Sequence, residues 1–124
     1  MKKKNALSRS ADITSLCQNL VTFMDESKAE NIVTIDLHGK SSIADYLVIS
    51  SSLSARHMKT LAEKLKEELH RHGVDQVKCE GLGSPDWVLI DAGDIIIHLF
   101  RPEVRDIYNL EKMWSAPFSQ EESA

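Results

Sequence analysis

Ile13, Leu16, Cys17, Leu20, Val21 and Met24 recur at the three- and four-residue spacing of a single helix face, which predicts a helix over residues 12–28. Ser10 or Asp12 can cap its start, since either side chain can accept from an otherwise unpaired first-turn amide. The period then changes. Ile32-Val33-Thr34-Ile35-Asp36-Leu37 is rich in β-branched residues and stops at His38-Gly39, and Tyr46-Leu47-Val48-Ile49-Ser50 follows a short polar link, so both read as strands. The link is shorter than the roughly dozen residues a parallel crossover requires, which makes the pair an antiparallel hairpin.

Ser54 opens a second helix with Met58, Leu61, Ala62, Leu65 and Leu69 on one face, and Gly73 closes it. A third strand is expected over Val74–Glu80, parallel to the second because a helix joins them. Gly81-Leu82-Gly83-Ser84-Pro85-Asp86 links it to a fourth strand, Trp87–Ile90, and Asp91-Ala92-Gly93-Asp94 turns tightly into a fifth, Ile95–Phe100. Beyond Pro102, the residues Val104, Ile107, Tyr108, Leu110, Glu111 and Trp114 suit a last helix. The fold class is therefore α/β: a single domain of order αββαβββα, with a mixed five-stranded sheet flanked by helices. The last two strands are apolar on both sides, so the sheet needs cover on both faces.

Length and composition fit this reading. The 124 residues leave room for one domain of the usual size of about 100–200 residues, and 42% apolar with 27% charged residues is ordinary for a globular chain. The longest isoleucine run, Ile95–Ile97, is broken by His98 and is far from the roughly 18 apolar residues of a spanning helix. The Lys2-Lys3-Lys4 start lacks the apolar region of a secretory signal. Cys17 and Cys79 stand far apart without a second cysteine near either, which is neither a zinc motif nor a redox pair, and two buried free thiols point to the reducing cytoplasm.

Charge is more informative than composition. Of 15 basic and 19 acidic residues, four basic ones and no acid lie in residues 1–11, so residues 12–124 carry 11 against 19, a net of −8. This suggests a basic N-terminal arm over 1–11, a domain over 12–115 and an acidic tail over 116–124. An acidic body suits nucleic acid poorly, because affinity for a phosphate backbone rests on Lys and Arg, and it suits a basic protein better; the same charge also serves solubility alone.

Candidate catalytic patterns fail on their chemistry. Gly39-Lys40-Ser41 lacks the earlier glycine a phosphate-binding loop needs, as position 34 is Thr, and it leads to a strand instead of a helix. Gly39, Ser41, Ser42 and Asp45 echo a nucleotidyltransferase-like site, but Tyr46 and Leu47 stand where a second metal-holding carboxylate is required. Asp91 and Asp94 flank a turn, where acids commonly satisfy their own backbone. His38, His57 and His98 are scattered without an evident nucleophile, while His70 and His72 sit where a helix C-terminus favours cations. No metal or cofactor is expected.

One stretch stands out. Cys79–Phe100 holds Glu80, Asp86, Asp91 and Asp94 and no Lys or Arg, and Trp87 begins a strand at its edge after a loop of small residues. A tryptophan beside carboxylates at a loop-to-strand junction suits docking to a basic partner; equally, Trp87 could cap the core, and the residues alone leave both open.

Taken in order, Asp36-Leu37-His38-Gly39-Lys40-Ser41-Ser42-Ile43-Ala44-Asp45-Tyr46-Leu47-Val48-Ile49, Ser54-Ala55-Arg56-His57, Glu80-Gly81, Asp86–His98 and Arg105–Trp114 closely resemble the ribosomal silencing factor, or Iojap-like, family over about residues 12–115. The resemblance implies a nucleotidyltransferase-like fold without catalysis. It further implies binding to the large ribosomal subunit through its protein fourteen, with steric block of small-subunit joining and repression of translation under nutrient limitation. It allows a homodimer of the free protein. Trp87 matches the family's binding tryptophan; Glu80, Asp86 and Asp91 would face Lys or Arg, and Ser84-Pro85 would shape the approach. Neither DNA nor a membrane is expected as a partner. Two rivals have distinct requirements: a reduced nucleotidyltransferase would need Asp45 with magnesium, and a plain RNA-binding module would need residues 1–11.

Overall fold

The computed structural model describes residues 6–108 other than Pro85, with side-chain detail for residues 12–105. Helix α1 spans Ala6–Glu26, starting earlier than the expected residue 12. The reason is local: Ala6, Leu7, Arg9 and Ala11 are strong helix formers, so Ser10 and Asp12 lie inside the helix and neither caps it. Cys17, Leu20 and Met24 of the anticipated stripe are buried and Ile13, Leu16 and Val21 pack beside them. The helix ends where Lys28 takes a left-handed φ of +74°. Ala29 N–H then donates to the Met24 carbonyl (3.0 Å) and Lys28 N–H to that of Asp25 (3.1 Å), the paired bonds of a Schellman closure.

Strand β1 (Glu30–Asp36) and β2 (Tyr46–Ser51) form the expected antiparallel hairpin, with Ile35 opposite Leu47. Helix α2 (Ala55–Arg71) is capped as read from the sequence: the Ser54 hydroxyl accepts from His57 N–H at 3.0 Å. Gly73, at φ +88°, ends it through a second Schellman closure, with Val74 N–H donating to the Leu69 carbonyl at 3.0 Å. That closure consumes Val74, and β3 is only Lys78–Glu80, shorter than the expected 74–80. Strands β4 (Trp87–Asp91) and β5 (Ile95–Phe100) form the tight hairpin, and α3 runs over Pro102–Tyr108. Leu110, Glu111, Trp114 and the tail over 116–124 lie outside the described residues, as does the start of the basic arm.

The five strands lie in the order β1-β2-β5-β4-β3. Strand β2 pairs in parallel with β5, and β5–β4 and β4–β3 are antiparallel. Hence β3 does run parallel to β2, but α2 carries the chain past β5 and β4 to the far edge. Alternation along the strands builds two apolar layers. Val48, Val88, Ile90, Ile95, Ile97 and Leu99 face α1 and α2 in one core. Ile35, Leu37, Leu47, Ile49 and Phe100, with Ile96, Trp87 and Val104 of α3, form a second on the opposite face. The two-sided cover anticipated from β4 and β5 is met in full on the first face and in part on the second, where Phe100 is buried but Trp87, Leu89 and Ile96 are half-buried.

Candidate docking site

The strand directions decide which candidate residues can act together. The carboxyl ends of β2, β5 and β3 and the start of β4 share one end of the sheet. There the chain is stitched by backbone bonds: Ser52 N–H donates to the Phe100 carbonyl (2.9 Å) and Arg101 N–H to the Asp86 carbonyl (3.1 Å). Trp87 opens β4 at this end, Glu80 ends β3 and is exposed, and Asp86 and Ser84 lie in the connecting loop.

The loop is held in a specific shape. Ser84 N–H donates to the Gly81 carbonyl at 2.8 Å, and the Ser84 hydroxyl accepts from Asp86 N–H at 3.1 Å. Gly81 sits at φ +83°, and a Cβ there would lie 2.4 Å from the Trp87 carbonyl oxygen, so only glycine lets the loop press onto the tryptophan backbone. Ser84 thus holds the loop that leads into Trp87; Pro85 lies outside the described residues.

Trp87 is half-buried, its ring on the second sheet face beside His98 and Phe100. The three rings are nearly parallel, with centroids 5.9 Å (Trp87–His98), 6.4 Å (Trp87–Phe100) and 5.8 Å (His98–Phe100) apart. Trp87 Nε1–H donates to His98 Nδ1 at 3.0 Å. Burial pushes the His98 imidazole down to a pKa of about 4, so it is neutral at pH 7. The accepting Nδ1 assigns its proton to Nε2.

The acidic zone is not one patch. Strand β4 has five residues, and at about 3.3 Å per residue its ends are about 13 Å apart. Asp91 therefore stands at the opposite end of the strand from Trp87, where its carboxylate accepts from Gly93 N–H at 2.9 Å and it lies opposite Lys78 in the β3–β4 register. The turn-satisfying reading of Asp91 holds. At the tryptophan end, Asp86 is met by Arg101, whose Nε and Nη2 donate to Asp86 Oδ1 at 3.2 and 2.9 Å. A count that stops at Phe100 misses this arginine by one residue. What sequence reasoning also missed are two exposed leucines, Leu53 (65% exposed) and Leu82 (37%), which follow the ends of β2 and β3 at this same end of the sheet. The only signal was an apolar residue set among serines and glycines.

The opposite end gathers Asp36, His38 and Asp45. His38 Nδ1 lies 2.6 Å from Asp36 Oδ1 and its Nε2 3.5 Å from Asp45 Oδ1. The His38 backbone N–H, 2.8 Å from the same Asp36 oxygen, is the main cause holding that carboxyl below its usual range. Among the described residues, neither this trio nor any other group of three or more His, Cys, Asp or Glu side chains is arranged to hold a metal ion. His57 Nε2 meets the Ser27 carbonyl at 2.9 Å, tying α2 to the end of α1, and His72 meets Glu68 at 3.1 Å. Cys17 is buried and pushed up to about 11, while Cys79 is half-buried and also raised by burial, so it is less enclosed than expected. A groove of about 450 Å³ between α1 and β1–β2 is lined by Thr14, Cys17, Gln18, Val21, Thr22, Thr34 and Tyr46, and its one thiol is the protonated Cys17. No helix among the described residues is long and apolar enough to cross a membrane.

Comparison with known proteins identifies the family. Residues 10–124 match the family model described as ribosomal silencing factor during starvation, so the match extends into the tail. The chain is 51% identical over 105 residues to the ribosomal silencing factor RsfS of Zymomonas mobilis, covering 85% of this chain and 79% of that protein. It is 34% identical over 99 residues to a mouse protein named mitochondrial assembly of ribosomal large subunit protein 1, covering 77% of this chain and 43% of that one. A crystal structure of a protein from Chromobacterium violaceum superposes with a TM-score of 0.79 at 31% identity, covering 85% of this chain and 88% of that one. With its fold matched in a solved relative and its sequence matched over nearly its whole length, the chain belongs to the ribosomal silencing factor family.

Proposed function

We propose that this domain docks through the tryptophan end of its sheet on ribosomal protein fourteen of the large ribosomal subunit, and that its bulk then obstructs the small subunit and represses translation when nutrients are scarce. The observation that carries the reading is the half-buried indole at a strand start, with exposed Leu53 and Leu82 at the same sheet end. Aromatic and aliphatic anchors inside a polar rim are the usual anatomy of a protein interface. Glu80 supplies a negative charge toward a basic partner. Asp86 with Arg101 presents a paired group that a partner's base would have to share. Asp91, about 13 Å along β4, falls at the rim of a standard footprint.

The activity is obstruction, with no bond made or broken: Asp45 faces His38 and has no second carboxylate beside it in sequence. The mouse relative's name points to the large subunit, and residues 12–115 are the functional unit in the cytoplasm. The same apolar end would serve a homodimer of the free protein. Co-sedimentation with purified large subunits tests the reading. Losing a hot-spot aromatic costs about 2 kcal/mol or more, roughly thirtyfold in affinity. Trp87→Ala should therefore fail to co-sediment while keeping its circular dichroism; undiminished binding by a folded Trp87→Ala protein would remove Trp87 from the interface.

A further inference from the structure

We propose that His98 is the positioning residue of this docking site, its imidazole fixing the indole of Trp87 in the orientation that meets the partner. The inference rests on the docking role proposed for Trp87. It starts from a mismatch: on its face of β5, His98 stands between Ile96 and Phe100, both part of an apolar layer that includes Ile35, Leu47 and Ile49. A leucine or phenylalanine would suit that layer without the desolvation that holds the imidazole neutral. What the histidine adds is an acceptor. Its Nδ1 takes the Trp87 Nε1 proton at 3.0 Å, and no apolar side chain could do so.

The geometry leaves the indole little freedom. Its plane lies within 20° of both the His98 and Phe100 rings, and those two lie within 7° of each other, so rotation about χ1 or χ2 breaks two ring contacts and the hydrogen bond together. Turning away would also leave Nδ1 without its proton donor inside an apolar layer, a costly arrangement. The backbone is fixed too: Trp87 is opposite Phe100 in the β4–β5 register, and the Gly81 turn presses on its carbonyl. An anchor held in its bound orientation does not lose side-chain freedom on association, which favours affinity without adding a contact. His98 acts through Trp87 and need not touch the partner.

The test uses the full chain with His98→Phe, which keeps a flat ring and removes the acceptor, and His98→Asn, whose carbonyl oxygen can stand in for Nδ1. Solvent exchange of the Trp87 indole N–H is followed in ¹H–¹⁵N spectra, assigned against Trp87→Phe, alongside co-sedimentation with large subunits. We expect His98→Phe to fold, to lose indole N–H protection and to bind about tenfold more weakly, with His98→Asn recovering both protection and most of the binding. Slow indole exchange or full affinity in folded His98→Phe overturns the positioning role. If folded Trp87→Ala also binds fully, the docking reading itself has failed; if Trp87→Ala loses binding and His98→Phe does not, only the positioning role is wrong.

Discussion

Replacing Gly81 with alanine places one methyl group against the least adjustable atom near the docking site. Two costs follow from the geometry. The first is conformational: at φ +83° an L-residue costs about 1–2 kcal/mol relative to glycine. The second is steric, since the new Cβ would lie 2.4 Å from the Trp87 carbonyl oxygen, a backbone atom that cannot rotate aside, so the loop and the start of β4 must separate. Gly93→Ala isolates the first cost, because Gly93 has φ +88° and nothing within 4 Å of its would-be Cβ. We expect Gly93→Ala to lose about 1 kcal/mol and Gly81→Ala at least about 2–3 kcal/mol. For a domain of this size each kcal/mol lowers Tm by about 3–5 °C, so calorimetry should place Gly81→Ala well below Gly93→Ala. Gly81→Ala should also weaken large-subunit binding, by shifting Trp87. Equal melting temperatures for the two variants would refute the close approach, and with it the account of how the loop sets the tryptophan.

Other outcomes follow from single residues. His98, neutral in the fold with a pKa of about 4 against an ordinary 6.5, binds fewer protons folded than unfolded between those values. Its contribution is complete above about pH 6.5 and is lost as pH falls toward 4; denaturant midpoints should drop by an amount equivalent to about 3 kcal/mol across that window, and His98→Phe should flatten the slope. Asp36 works in the same direction only at lower pH, where its depressed carboxyl titrates. Cys17, raised to about 11 and buried, should resist a thiol reagent at pH 8 until the protein unfolds, with half-buried Cys79 modified first; fast native labelling of Cys17 would contradict its placement. Asp91→Asn should change large-subunit affinity by less than about threefold, as expected at an interface rim, and a loss as large as that of Trp87→Ala would move the centre of the footprint toward the Asp91 turn.

Periodicity carried most of the architecture, because each element buries one regular face. The α2 stripe and its Ser54 cap, the β1–β2 hairpin and the β4–β5 turn all depend on neighbours close in sequence. The insertion of β5 between β2 and β4 depends on pairing between strands far apart in sequence, for which alternation has no address. The same limit governs the site. Trp87 stands out in the sequence because it opens a strand beside carboxylates after a loop of small residues, whereas its link to His98 requires the β4–β5 register. Likewise, the acidic run read as one patch because sequence proximity hides strand length; five extended residues set Asp91 at the far end, and the first arginine beyond the run folds back on Asp86. Leu53 and Leu82 lie in separate loops, and only the strand order brings both to the same end of the sheet.

Joining of purified subunits, followed by light scattering, addresses obstruction most directly. Large subunits incubated first with excess wild-type protein should fail to join small subunits, and those incubated with folded Trp87→Ala should join as fully as untreated ones. Unimpeded joining by large subunits that carry the wild-type protein, or equal inhibition by the Trp87→Ala protein, would contradict a tryptophan-anchored steric block.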